Sequence, residues 1–381
     1  YDFTKRYFYL IIFSEIYFLT YTTINLSKKI LRASRKSALY SIFCIFLAGG
    51  KLLFVILFKN KLDFLGVELI ILGTVVVEII LIITFYFSIK PNIKLISFKF
   101  NLLKNMKDYG LPLMTASLFY WIITFSDRYI IGFLRTSEEV GLYTISYNIS
   151  SKPLTLVFST LSLAALPLIV KAWNEHKKKY IEKLLSNIIK YYYILTVPIV
   201  FSIFLISPLL LTILSTEEYF YGHIVMPWIT LGVFFRGLSI FLHKIWQLNK
   251  NTKMILYLNL ITAIINLTIN IIFVPIYGFI AAGISTFISY FCYGIIAYIW
   301  SKSIIKLDII NLKLIKIILS ASIMLIPIVF ILQFFEKNIV TFIYILLFGS
   351  TTYFVSLYAL GLIKNEINFI FKKIKRSFNN E

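Results

Sequence analysis

The chain has 381 residues, 59% of them hydrophobic, and 38 Lys and Arg against 17 Asp and Glu give a formal charge of +21. A mean hydropathy of +0.86 excludes an ordinary soluble domain. A basic excess on so apolar a chain reports the loops of a multi-pass membrane protein, and nucleic-acid binding is the wrong reading of it.

Crossing a hydrocarbon core of about 30 Å takes roughly 20 helical residues. Stretches long enough lie near 8–27, 39–58, 64–88, 111–134, 140–170, 185–208, 223–247, 253–275, 278–301, 313–334 and 339–363. Membrane β-strands would be half as long and would alternate strictly, which these Ile-, Leu- and Phe-rich runs do not. The expected fold class is therefore an all-α polytopic membrane protein. Cys44 and Cys292 fall inside apolar stretches and say nothing about redox state.

Every second link is basic. Lys28, Lys29, Arg32, Arg35 and Lys36 follow the first stretch, and Lys90, Lys94, Lys99, Lys104 and Lys107 follow the third. Lys171, Lys177, Lys178, Lys179 and Lys183 follow the fifth, and Lys244, Lys250 and Lys253 the seventh. Lys302, Lys306, Lys313 and Lys316 follow the ninth, and the tail after Lys364 closes the set. The intervening links, such as Arg135 to Glu139, Ser215 to Gly222 and Pro275 to Gly278, are short and nearly neutral or acidic. The positive-inside rule places the basic links and the C-terminus in the cytoplasm.

The first stretch begins close to Tyr1 without a basic leader, which reads as a piece of a longer chain. Gly66 and Thr74 resemble Gly278 and Thr286 at a shift of 212 residues, as duplicated units would. A second unit beginning near Leu111 then implies about three helices ahead of Tyr1. The segment 92–107, with Ile93, Ile96, Leu103 and Met106 among lysines, reads either as an amphipathic surface helix or as a plain basic loop.

Ionisable residues within spans cost free energy and are functional candidates by default. They are Glu15, Lys51, Glu78, Asp127, Arg128, Lys152 and Arg236. Glu15 and Lys51 share a depth on consecutive spans and read as a structural ion pair. Lys152 and Arg236 fall near the midplane with no acid at their depth, whereas Asp127 and Arg128 lie nearer the outer side. Helical spacing lines up Asn148, Lys152, Thr155 and Ser159 on one stripe, and Gly232, Arg236, Ser239 and His243 on another. Ser117, Thr124 and Arg128 form a third stripe flanked by Tyr120 and Trp121, and Asn259, Thr262, Asn266 and Asn270 a fourth. Such stripes line a wet interior or join helices by hydrogen bonds; for the uncharged stripe both readings stand. A basic cavity with amides and aromatics suits a phosphate or pyrophosphate bearing sugars.

Leu111-Pro112-Leu113, Asp127-Arg128-Tyr129, Glu138-Glu139-Val140-Gly141-Leu142-Tyr143 with Tyr147, and Tyr277-Gly278 with Ala281, Ala282, Gly283 and Thr286 resemble the second half of Wzx-like polysaccharide flippases. These belong to the multidrug/oligosaccharidyl-lipid/polysaccharide exporter superfamily. The resemblance implies a two-lobed transporter of six plus six helices with two extra C-terminal helices. Here residues 1–90 would be an incomplete N-terminal lobe, 91–110 the cytoplasmic link, 111–302 the C-terminal lobe, 303–363 the accessory pair and 364–381 the tail. It implies transport of a polyprenyl-pyrophosphate-linked oligosaccharide to the outer face of the bacterial inner membrane. Membrane lipid and a polysaccharide polymerase machinery are the implied partners, with no cofactor and no metal. Arg128, Lys152, Arg236, Asn148, Asn259 and Asn266 would face substrate, and Asp127, Glu15 and Glu78 would couple an ion or gate.

An enzyme of polymer synthesis would need a large outward loop with catalytic groups, and the outer links are too short. His176, His223 and His243 lack metal spacing, and no nucleophile elbow or phosphate loop is present. Alternatives within transporters are export of a lipid-linked peptidoglycan precursor, a teichoic-type polymer or a small cation.

Overall fold

The structure is a computed structural model that describes residues 2–34, 36–59, 66–89, 100–175, 177–305, 307, 309, 311–364 and 366. Among these are eleven α-helices, one 3-10 helix and no strand. The helices are α1 (Asp2–Ala33), α2 (Ser37–Phe58), α3 (Gly66–Ile89), α4 (Phe100–Leu134), α5 (Ser137–Asn174) and α6 (Lys178–Leu214). A 3-10 helix, Glu217–Ile224, leads into α7 (Met226–Leu248), α8 (Lys253–Tyr277), α9 (Phe279–Lys302), α10 (Leu312–Phe334) and α11 (Ile339–Ala359). Each apolar stretch expected from sequence is one α-helix. Ten of them are long and apolar enough to cross a membrane, and the remaining one, α4, carries Asp127 and Arg128 within its apolar run.

Three helices run well past their apolar stretches: α4 starts at Phe100 instead of 111, and α5 and α6 have 38 and 37 residues. At 1.5 Å per residue such helices reach about 55 Å, far beyond the hydrocarbon. Hydropathy marks only the lipid-embedded part, while Lys, Glu and Asn continue the helix in water. Of the segment 92–107, residues 92–99 lie outside the described residues, and 100–107 form the first turns of α4. Side-chain caps set several starts. The Thr136 hydroxyl accepts from Glu139 N at 3.3 Å, and Asn311 and Asn338 cap α10 and α11 in the same way. Prolines lie inside the spans at Pro153, Pro198 and Pro327, and the Ile194 carbonyl that Pro198 frees accepts from Tyr353 Oη at 2.8 Å.

The chain divides into two compact units, residues 1–99 and 100–381. In the first, α1 and α2 pack on α3 around Ile24, Leu31, Phe43 and Leu81. In the second, α7 lies against α9, α4 against α8, α8 against α9, and α5 between α6 and α7. Gly232 permits the α7–α9 crossing: a Cβ there would stand 3.1 Å from the Thr286 carbonyl oxygen and the Phe287 Cα. The α10–α11 pair attaches through α6, burying Met324, Ile328, Ile345 and Tyr353. Two lysines tie its end: Lys316 Nζ donates to Leu360 O at 3.1 Å and Lys190 Nζ to Leu362 O at 2.9 Å. Lys190 also donates to Glu366 Oε1 at 2.7 Å. Partial burial disfavours ionised Glu366, but hydrogen bonds from Lys190, Tyr191 and the backbone, together with the lysine's charge, outweigh it and hold the carboxyl below its ordinary value.

Candidate transport site

Asp127 is fully buried where α4, α5, α8 and α9 meet. Its carboxylate accepts from the Tyr143 hydroxyl, from Asn270 Nδ2 at 2.6 Å and from Thr286 Oγ1 at 3.0 Å. Asn270 Nδ2 also donates to Asn266 Oδ1 at 3.2 Å, Ser126 Oγ donates to the same oxygen at 3.3 Å, and Asn266 Nδ2 donates to Ser285 Oγ at 3.2 Å. Asn270 Oδ1 is buried with no hydrogen bond among the described residues. The stripe Asn259, Thr262, Asn266 and Asn270 thus joins α8 to its neighbours, all four being buried. Asp127 and Arg128 share no hydrogen-bond partner, because adjacent helical residues point about 100° apart, but both touch Tyr143, whose ring lies 5.7 Å from the guanidinium.

Arg236 stands on the inner face of α7. Its guanidinium donates to Asn259 Oδ1 at 3.3 Å and lies over the rings of Tyr120 at 4.3 Å, Tyr293 at 4.8 Å and Tyr290 at 5.7 Å. The sequence presents Arg236 as an uncompensated cation; three tyrosine faces compensate it here, a contribution of about 0.5–2 kcal/mol each. Further along α7, His243 Nε2 is 2.5 Å from Tyr293 Oη.

The other two stripes face outward. Arg128 NH1 donates to Thr124 O at 2.7 Å, Nε donates to Thr144 Oγ1 at 3.2 Å, and the guanidinium lies 4.9 Å from the Tyr147 ring. Asn148 and Lys152 are exposed on α5, Asn148 returning a hydrogen bond to Thr144 O at 3.0 Å. Beside them opens a groove of about 720 Å³ between α5, α6, α10 and α11. Ile194, Pro198, Ile206, Met324, Ile345 and Phe354 contribute to its apolar wall, and Asn148 and Lys152 are polar groups at its α5 side. Lys152 and Arg236, paired by depth in the sequence, therefore occupy different surroundings.

In the first unit Lys51 Nζ lies 3.6 Å from Glu78 Oε1, not against Glu15 as expected. Glu78 is buried and accepts from Thr20 Oγ1 at 2.7 Å, so one carboxylate ties α1, α2 and α3. Glu15 is exposed on α1 beside Ile11, Ser14 and Phe18.

Sequence reasoning missed the tyrosines as site residues. Tyr290 and Tyr293 are not singled out by the sequence, and Tyr143 stands only within the hairpin motif, 16 residues past Asp127 and on the next helix. It also missed the groove, whose walls come from apolar residues of four helices. The outer hairpin motif has a plain structural meaning. Arg135 Nε donates to Glu139 Oε1 at 2.9 Å, and Glu139 Oε2 accepts from Phe279 N at 2.9 Å, where Gly278 turns with φ +60°.

Fold and composition together define a multi-pass, all-helical membrane protein, and the comparisons with known proteins agree. The model of the family described as polysaccharide biosynthesis protein matches residues 29–221, half of the chain, and the chain belongs to that family. It is 24% identical over 273 residues to an uncharacterized membrane protein of Methanocaldococcus jannaschii, covering 70% of this chain and 51% of that one. It is 22% identical over 188 residues to the probable low-salt glycan biosynthesis flippase Agl15 of Haloferax volcanii, covering 49% of this chain and 39% of that one. The chain thus spans about half the length, or less, of these relatives. Among solved structures, the lipid II flippase MurJ in an inward closed conformation superposes with a TM-score of 0.70 at 18% identity, covering 94% of this chain and 74% of that one. A MOP superfamily transporter from Pyrococcus furiosus gives 0.63 at 16% identity, covering 74% and 65%. At these identities the likeness is one of fold: this chain has the helical fold of MurJ and the MATE proteins.

Proposed function

We propose that this chain is part of a flippase that carries a polyprenyl-pyrophosphate-linked oligosaccharide across the bacterial inner membrane for surface polysaccharide synthesis. The observation that carries this reading is the apolar groove with Lys152 at its edge. An isoprenoid tail needs an extended apolar wall, a pyrophosphate needs a cation at the end of that wall, and sugars need a polar surface beyond it. The exposed Asn148 and the half-buried Thr144 and Arg128 supply that surface. A small-cation exporter would need carboxylates where this face carries Lys152 and Arg128. The same family membership and the glycan flippase relative support the substrate class.

In this reading α1–α3 belong to one lobe, α4–α9 form the other, α10–α11 are the accessory pair, and the basic links and tail face the cytoplasm. Asp127 is the coupling centre, through a proton or a monovalent cation exchanged for its donors, with the free Asn270 Oδ1 as a further ligand. Glu78 holds its lobe together, and Arg236 and Asn259 act one layer behind the substrate.

Complementation of a flippase-deficient strain by the full-length gene tests it, with surface polysaccharide as readout and membrane expression measured alongside. Lys152→Glu is expected to reduce export at least tenfold, and Lys152→Arg to retain it. Wild-type export from Lys152→Glu at equal expression overturns the reading.

A further inference from the structure

The exposed face of α4 carries a ladder of rings that the groove and its cation do not use. Trp121 and Phe125 have ring centroids 5.4 Å apart, and Trp121 and Tyr129 6.3 Å apart. The three side chains are 51%, 40% and 57% exposed. Rings in contact with lipid are ordinary in a membrane protein, but this arc of the helix also holds the exposed Ser117 and the half-buried Thr124 and Arg128. Positions 117, 121, 124, 125 and 128 fall within about 100° of one another. Ser117 and Thr124 donate to Leu113 O and Tyr120 O at 2.8 Å each, but hydrocarbon would leave the Arg128 guanidinium without water, at a cost that lipid-facing surfaces avoid. This face is therefore polar and aromatic together.

We propose that Trp121, Phe125 and Tyr129 form the wall on which the sugar units of the lipid-linked glycan stack, a specificity site that rests on the flippase reading. Flat rings present a negative face to the weakly positive C–H hydrogens of a sugar, and the hydroxyls between them accept or donate hydrogen bonds at its edge. The contact of Arg128 Nε with Thr144 Oγ1 at 3.2 Å sets the register of α4 against α5. Seven residues back along α4 and eight forward along α5, about 10–12 Å away, Trp121 and Lys152 reach the same level. A pyrophosphate at Lys152 thus starts its sugars at Trp121 and runs them toward Phe125, Tyr129 and Arg128. Arg128 at the far end favours an acidic sugar there.

The test measures binding of two probes to the full-length protein in nanodiscs: undecaprenyl pyrophosphate, and the same lipid bearing one N-acetylglucosamine. Wild type is expected to bind the glycosylated probe at least tenfold more tightly. Trp121→Leu, which keeps bulk but removes the flat face, should bring that ratio to about one while leaving affinity for the bare lipid unchanged, and Trp121→Phe should keep most of it. Phe125→Leu gives a second, smaller loss if Trp121→Leu fails to fold. Equal binding of both probes by wild type, or parallel loss of both in Trp121→Leu, overturns the stacking wall while leaving the flippase reading intact. Wild type that binds neither probe overturns both.

Discussion

A carboxylate removed from water in a membrane interior is costly unless hydrogen bonds replace its hydration. Asp127 has three donors from three helices, the hydroxyls of Tyr143 and Thr286 and the amide of Asn270. Removing the acceptor leaves the Tyr143 and Thr286 hydroxyls only each other, 3.1 Å apart, and Asn270 Nδ2 only Asn266, so the lost bonds to the carboxylate cost about 1–3 kcal/mol. Asp127→Ala is therefore expected to lower the melting temperature of the purified protein in detergent by several degrees. Asp127→Asn, which keeps one oxygen, should melt closer to wild type yet lose transport. Melting of Asp127→Ala at the wild-type temperature would remove its structural role, and wild-type transport by Asp127→Asn would remove it from coupling. Asp127 was legible in the sequence as a rare intramembrane acid. Its donors were not, since Tyr143 and Thr286 are separated from it by 16 and 159 residues and only the packing brings them in.

At the scale of elements, one side chain joins two helices. Glu139, in the first turn of α5, accepts from the N-terminal amide of α9 at Phe279 and from Arg135 at the end of α4. A carboxylate at a helix N-terminus also meets the positive end of the helix dipole. The approach requires Gly278, with φ +60° and ψ −144°, a region open only to glycine, and a Cβ there would lie 2.2 Å from Glu139 Oε2. Gly278→Ala is expected to cost about 1–3 kcal/mol, read as a lowered melting temperature in detergent, with Glu139→Gln costing less. A Gly278→Ala protein that melts as wild type would show that the turn is not constrained. The Gly-x-Tyr motif and Gly278 were visible as sequence features, but their pairing was not, because Glu139 and Phe279 are 140 residues apart.

At the scale of the chain, the lysine-rich links follow the odd-numbered helices among those described, the pattern that spans alternating in direction are expected to show. Single cysteines placed in a background with Cys44 and Cys292 replaced should then label from one side only with a membrane-impermeant maleimide. Positions 177 and 250 are expected to label from the cytoplasmic side, and positions 216 and 337 from the opposite side. Labelling of positions 177 and 216 from the same side would break the alternation.

What the sequence by itself determined was the number and order of the long apolar helices, because a hydrocarbon slab of fixed thickness selects length and hydropathy locally, without reference to any fold. It also exposed the intramembrane charges, whose cost makes them rare. Which charges have company was decided by tertiary structure alone. Lys51 chose Glu78 over Glu15, Arg236 came to rest among three tyrosines, and Lys152 was left at the edge of a groove built from α5, α6, α10 and α11. Periodicity assigns a side chain to a face of its own helix, but the partner of that face depends on how helices far apart in the chain pack.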